Sequence, residues 1–353
     1  MPPSASVHRL RADLIVAEPL PPQITEGTPQ RRPLRVGMIN NPASGQNARH
    51  GQLTGVRHVL RSHPTVAHFE VQTFDDMTAA VRELLQDETE VIVVNGGDGT
   101  VQAVLTGLLR TATERLPLLA VLPGGSTNTT ARNVGYSRRP LRALERLLTD
   151  SVHGTLAGTV ERRAVLRVDT DGEPQYAMLF GAGAVYHGIV FARRRVHAHG
   201  VRGQLGAGVT LAAFVGQVLS RNRGTLFPPL HAGIRIEGQP LAAEPYFGIL
   251  TSTMDRQFLG ITPYWGSEPG PLRFSSLSYA PQNLPRAIIP LLRGKPSTYL
   301  RPELGYRSVN ADEVSLSFDS GYTLDGELFA PRRGGARVTL TGRQCAYFLR
   351  EPS

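Results

Sequence analysis

The chain has 353 residues, long enough for two domains that each bury a core. Its hydrophobic share of 41% is that of an ordinary soluble fold, and its one cysteine, Cys345, excludes an internal disulfide and fits a reducing compartment. The net charge of +9, carried almost wholly by arginine, favours anionic partners, while sparse aromatic residues and no basic–aromatic alternation argue against nucleic acid.

Residues 1–33 repeat proline (PLPPQ, RRP) and read as an irregular tail. They do not combine basic residues, an apolar run and a small-residue cleavage site. A cytoplasmic protein is therefore expected, with peripheral contact to an anionic membrane face allowed for. The longest apolar segment, Leu205–Leu219, is broken by glycines and a glutamine and reads as a core helix rather than a membrane span.

Residues 34–153 read as an α/β domain. LRVGMIN (34–40) predicts a strand, residues 48–62 a helix, and HFEVQTF (68–74) a second strand. Asp76 opens a helix to about Gln86. EVIVVN (90–95) and LPLLAVL (116–122) are apolar on both faces, as in a buried parallel sheet, with a helix Thr100–Arg110 between them. Ser126 or Thr127 caps a helix through about Asn133, and Pro140–Thr149 adds another. Strands alternating with helices predict a doubly wound parallel sheet.

From residue 154 to 353 the pattern changes to short alternating runs: TLAGTV, RRAVLRVDT, PQYAMLFGAG, AGIRIEG, YFGILTS, LRFSSLSY, EVSLSF and ARVTLTG. Turn signals separate them, so this half reads as a β-rich, sandwich-like domain. Helical insertions are expected near 188–221 and 283–293, and the final segment could pack back on the first domain. Cys345 follows one of these runs with no base near it in sequence. His197 and His199, two apart in VHAHG, read as surface residues on one side of a strand.

Three stretches sit at strand-to-helix turns of the first domain: Asn40-Asn41-Pro42-Ala43-Ser44-Gly45, Asn95-Gly96-Gly97-Asp98-Gly99-Thr100, and Pro123-Gly124-Gly125-Ser126-Thr127-Asn128. In an open parallel sheet such turns crowd along one edge, where ligands bind. Glycines, hydroxyls and helix starts together make a phosphate cradle. Glycine alone marks a left-handed turn as readily as a ligand, so the weight lies on three loops in succession. Asp98 repels phosphate unless a cation lies between, and Mg2+ is the natural mediator. The structural alternative is that Asp98 caps the helix starting at Thr100. The only lysine, Lys295 in RGKPST, has no phosphate-loop context, and no GxGxxG follows a strand, so phosphate must be met by backbone amides, arginine and metal.

The second domain contributes TLDGELF (323–329), with Asp325 and Glu327. The same tripeptide occurs at Asp171-Gly172-Glu173, where it reads as a hairpin turn. Spacing alone does not separate the two copies.

The order NPASG, GGDGT, PGGSTN and a distal DGE resembles the diacylglycerol kinase catalytic domain family, from about Leu34 to Leu349. GGDGT alone is shared with NAD kinases and phosphofructokinases. FGAGAVYHGIVFARRR (180–195) is similar to that family's glycine-bearing strand and the helix after it, beside the lipid pocket. The resemblance implies an ATP- and Mg2+-dependent lipid kinase acting on a hydroxyl of a diacylglycerol- or sphingoid-like lipid at the membrane surface.

By motif, Asn41, Ser44, Gly45, Gly96, Gly97, Asp98, Gly99, Thr100, Gly125, Ser126, Thr127 and Asn128 would bind the nucleotide, with Asp98 in the metal network. Asp325 would be the general base on the lipid hydroxyl, with Glu327 supporting the metal or the phosphates. Arg132 or Arg193–Arg195 could neutralise phosphate, against the simpler reading of a solvated or membrane-facing helix side. Thr129 stands where the family pattern carries a carboxylate, which bears on metal affinity. The alternatives are a kinase of a soluble substrate related to NAD kinase and an inactive nucleotide- or lipid-binding homologue. A homodimer is allowed for, with no motif that demands one.

Overall fold

Strand β1 (Val36–Asn40) is buried along its whole length. It pairs in parallel with β2 (Ala67–Glu70) on one side and β3 (Val91–Gly96) on the other. Strand β4 (Leu118–Pro123) extends the parallel sheet beyond β3. Among the described residues five helices accompany these strands: α1 (Gln52–Arg61), α2 (Phe74–Gln86), α3 (Asp98–Arg110), α4 (Thr129–Val134) and α5 (Pro140–His153). Helix α1 packs against α5 and α2 against α3, so the apolar strands bury both faces, as their unbroken hydrophobic runs require. This computed structural model describes residues 32–48, 51–111, 115–135, 139–156, 158–199, 227–257, 260–330 and 334–350, with the side chains at 192 and 194–199 excepted. The proline-rich tail up to residue 31, the segment Leu205–Leu219 and the side chains of His197 and His199 lie outside the described set.

The antiparallel half comprises β5 (Thr159–Asp169), β6 (Gln175–Ala177), β7 (Leu179–Gly183), β8 (Leu230–Ile236), β9 (Gln239–Pro240), β10 (Pro245–Ser252) and β11 (Leu272–Ser278). It continues with β12 (Tyr306–Ala311), β13 (Glu313–Phe318), β14 (Tyr322–Leu324), β15 (Glu327–Phe329) and β16 (Ala336–Arg350). Among the described residues two helices interrupt it, α6 (Ala184–His199) and α7 (Leu284–Arg293). Phe180, Phe274, Leu316, Phe318 and Leu324 centre its core. The fold class is thus an α/β domain joined to a β-rich domain.

Strand β16 serves both halves. Its first part pairs with β13, its length pairs with β5 through a bulge between Thr341 and Gln344, and Phe348 lies in parallel register with Leu119 of β4. Tyr347, Phe348 and Leu349 are buried in the α/β core. One continuous sheet therefore runs through the molecule.

Several boundaries differ from expectation for local reasons. Strand β2 ends at Glu70 because the Thr73 hydroxyl accepts the Asp76 amide at 3.1 Å and starts α2 at Phe74. Strand β5 runs back from RRAVLRVDT only as far as Thr159 and Val160, the end of TLAGTV, because β16 gives it one long partner. Residues 196–199 continue helix α6 rather than forming a strand, and Cys345 lies within β16.

Candidate active site

The three glycine-bearing loops leave the carboxyl ends of β1, β3 and β4 and meet. The Asn41 side-chain amide donates to Thr100 Oγ1 at 3.0 Å, and the Gly97 amide donates to Ser44 Oγ at 3.2 Å. The Gln46 amide donates to the Gly124 carbonyl at 2.8 Å. Asn128 is left-handed (φ 51°) and folds the third loop onto itself, its Oδ1 accepting the Gly125 amide at 2.7 Å and its Nδ2 donating to the Gly125 carbonyl at 2.8 Å. All twelve nucleotide-motif residues thus lie along one edge of the parallel sheet.

Close approach between loops accounts for several glycines. A Cβ on Gly125 would stand 2.4 Å from the Cα of Gly97, and one on Gly45 would stand 2.2 Å from Ser126 Oγ. A Cβ on Gly96 would meet the Thr100 side chain at 2.4 Å. At Gly125 the obstacle is backbone, so loop packing alone requires that glycine, whereas at Gly45 and Gly96 the neighbour is a side chain.

Asp98 does not cap a helix at Thr100. Helix α3 begins at Asp98 itself, with Gly97 in the N-cap position. The Asp98 carboxylate instead caps the neighbouring helix α4. One oxygen accepts Thr127 Oγ1 at 2.7 Å and the Thr129 amide at 3.1 Å; the other accepts the Thr130 amide at 2.8 Å. The expected cap of α4 by Ser126 or Thr127 is replaced by this contact, since the helix starts at Thr129 after the left-handed Asn128, which forms no side-chain cap.

Helix α3 is fastened to the β-rich domain by two buried polar residues one turn apart. Gln102 Nε2 donates to Gln175 Oε1 at 3.1 Å, and Thr106 Oγ1 accepts the Tyr176 amide at 3.0 Å while its hydroxyl donates to the Tyr176 carbonyl. Sequence reading missed both, although two polar residues at i and i+4 on an apolar helix are a readable signal. This docking brings the amino end of α3 to the distal DGE.

Both DGE copies are hairpin turns. Asp171-Gly172-Glu173 links β5 to β6 on the surface. Asp325-Gly326 forms the two-residue turn between β14 and β15, with φ values of 47° and 90°, the left-handed geometry for which Asp-Gly is suited. Burial separates the copies. Asp171 is exposed, whereas Asp325 keeps 8% of its surface. The Asp325 amide donates to the Leu179 carbonyl at 3.0 Å, and its carboxylate accepts the Met178 amide at 2.9 Å. Burial pushes the Asp325 carboxyl well above the usual carboxylate range; the hydrogen bond from Met178 opposes this, and the nearby Asp98 charge adds to it.

Glu327 lies over α3, where its carboxylate fills the space that a side chain on Gly99 would take. Arg193 of α6 holds that carboxylate at 3.1 Å and donates to the Gly326 carbonyl at 2.9 Å. The side chains of Arg194 and Arg195 lie outside the described set. The site therefore gathers Asp98, Asp325 and Glu327 beside the hydroxyls of Ser44, Thr100 and Thr127. Among the described residues no three His, Cys, Asp or Glu side chains converge as a self-sufficient metal site. The oxygen-only donor set nevertheless fits Mg2+, which binds through one or two carboxylates together with substrate phosphates and water.

The model of the diacylglycerol kinase catalytic domain matches residues 35–160. That stretch carries NPASG, GGDGT and PGGSTN, while the distal DGE lies beyond it. Two curated proteins are similar to the chain. A probable lipid kinase, YegS-like, from Chromohalobacter salexigens is 33% identical over 102 residues, covering 28% of this chain and 33% of the relative. A diacylglycerol kinase from Bacillus subtilis is 32% identical over 112 residues, covering 30% and 35%. The aligned region thus spans about a third of the length of these relatives. Among solved structures, a diacylglycerol kinase from Bacillus anthracis aligns with a TM-score of 0.56 at 17% identity, covering 90% of this chain and 97% of that one. A second Bacillus anthracis structure gives a TM-score of 0.60 at 18% identity with the same coverage. At these identities the likeness is one of fold.

Proposed function

We propose that the protein is an ATP- and Mg2+-dependent lipid kinase that phosphorylates a hydroxyl of a diacylglycerol- or sphingoid-like lipid. The observation that carries this reading is the meeting of Asp325 and Glu327 from the β-rich domain with the Asp98 loop of the diacylglycerol kinase catalytic domain. Phosphoryl transfer rests on positioning and charge neutralisation, and the acceptor hydroxyl needs a carboxylate nearby.

In this reading Ser44, Thr100, Thr127 and the loop amides hold the nucleotide phosphates. Asp98 holds Mg2+, which when bound offsets the phosphate charge. Asp325 takes the proton of the lipid hydroxyl. Its raised pKa makes it a stronger base than an exposed carboxylate, and its two backbone contacts keep it in place. Glu327 supports the metal or phosphates from above Gly99. The family match and the curated relatives' names support a kinase; the lipid acceptor is the proposed element.

Transfer of labelled phosphate from ATP to diacylglycerols, sphingoid bases and NAD, across Mg2+ concentrations, tests the reading. Wild type should label a lipid and Asp325→Ala should not. Labelling of NAD alone, or of no lipid at any Mg2+ concentration, overturns it. Equal activity in Asp325→Ala overturns only the base assignment.

A further inference from the structure

Helix α7 (LPRAIIPLLR) packs on a satellite core with Leu284 and Ala287 buried against Phe247, Leu300 and Tyr306. The same core contains Ala184, the first residue of α6, whose Arg193 holds the Glu327 turn. The outer face is of a different kind. Pro285, Arg286, Ile289 and Arg293 are exposed and fall within one contiguous arc of the 3.6-residue repeat. Ile289 is 61% exposed; the other exposed large hydrophobic residue among those described, Val152, is 45% exposed.

The exposed arc of the helix carries charge of one sign, Arg286 and Arg293, and the first carboxylate after the helix in sequence is Glu303. From Tyr279 to Pro302 the chain carries Arg286, Arg293, Lys295 and Arg301 and no aspartate or glutamate. None of these four side chains forms an ion pair with a described residue. An exposed isoleucine flanked on the same helix arc by Arg286 and Arg293 is complementary to an anionic bilayer: the cations meet headgroups while the isoleucine enters the acyl boundary.

We propose that the outer face of α7 seats the protein on an anionic lipid surface. This rests on the lipid-kinase reading for its purpose, though not for its measurement. The contact would place α6, and through Arg193 the Asp325-Gly326 turn, beside the bilayer that presents the substrate.

The test is sedimentation of the full chain with phosphatidylcholine vesicles containing phosphatidylglycerol, at low and high salt. Arg286→Ala/Arg293→Ala should weaken binding on the order of 30-fold, as expected for two basic residues at a membrane surface. Ile289→Ser should weaken it while leaving the salt dependence in place. Arg337→Ala/Arg343→Ala removes the same charge from exposed positions on β16 and should leave binding unchanged. Equal loss in that control, or unaltered binding of the α7 variants, overturns the proposal. Phosphorylation of lipid in detergent micelles separates the two readings. If the α7 variants keep micellar activity but lose activity on vesicles, both stand. If wild type binds vesicles through α7 and labels no lipid, the kinase reading fails and the docking surface survives.

Discussion

The Asp98 carboxylate accepts the Thr130 amide at 2.8 Å, and so the residue proposed to meet the metal also starts the helix behind it. Asp98→Ala should cost about 0.5–2 kcal/mol of stability through loss of the α4 cap, in addition to abolishing transfer. Asp98→Asn keeps one acceptor oxygen and should recover part of that stability with no activity. Urea denaturation beside a transfer assay checks both, and unchanged stability in Asp98→Ala would refute the capping role.

Asp325 predicts opposite pH trends for stability and turnover. Its folded-state pKa lies above its unfolded value. The folded state therefore binds a proton that the unfolded chain has released, and stability falls as pH rises from the ordinary carboxylate range toward the raised value. The basic form accumulates over that same window, so transfer rises with pH. Asp325→Asn should flatten the stability slope and eliminate transfer. Urea midpoints and initial rates measured across pH read the two trends separately.

Two glycines in adjoining loops should respond differently to alanine. On Gly125 the added methyl meets the Gly97 backbone, which cannot swing aside, so Gly125→Ala should destabilise by about 1–3 kcal/mol. On Gly99 it meets the Glu327 carboxylate at 2.5 Å, the free end of a flexible side chain, while alanine favours the helix. Gly99→Ala should keep its stability and lose activity. Thermal melts with parallel rate measurements distinguish these outcomes.

Thr129 offers a gain-of-function test. Its amide already points at Asp98, so Thr129→Asp places a second carboxylate in the first turn of α4 beside the first. The Mg2+ concentration for half-maximal transfer should fall, and without Mg2+ the variant should be less stable than wild type because the two charges repel. A Mg2+ titration of activity and of the melting temperature checks both signs.

Much of the fold was legible because its signals are local. Unbroken apolar runs marked β1, β3 and β4, and turn residues divided the β-rich half. The full length of β5 was not legible, since its first residues, Thr159 to Glu161, are held by pairing with β16, far away in sequence. The order of the four motifs anticipated the loop cluster, but not the reasons for its glycines. Gly97 and Gly125 answer to each other across the gap between β3 and β4, a relation that neither loop contains. The two DGE turns share their local code and differ in burial, which only the β7–β14 pairing decides.

The register between Phe348 and Leu119 also bears on how the chain comes to be folded. A nascent polypeptide can form β1 to β4 early, yet the edge of β4 and the apolar space filled by Tyr347, Phe348 and Leu349 stay open until β16 emerges from the ribosome. Contacts so distant in sequence form slowly and leave a sticky strand edge exposed meanwhile. The N-terminal half expressed by itself should therefore be prone to aggregate, and chaperone demand should end with synthesis of β16.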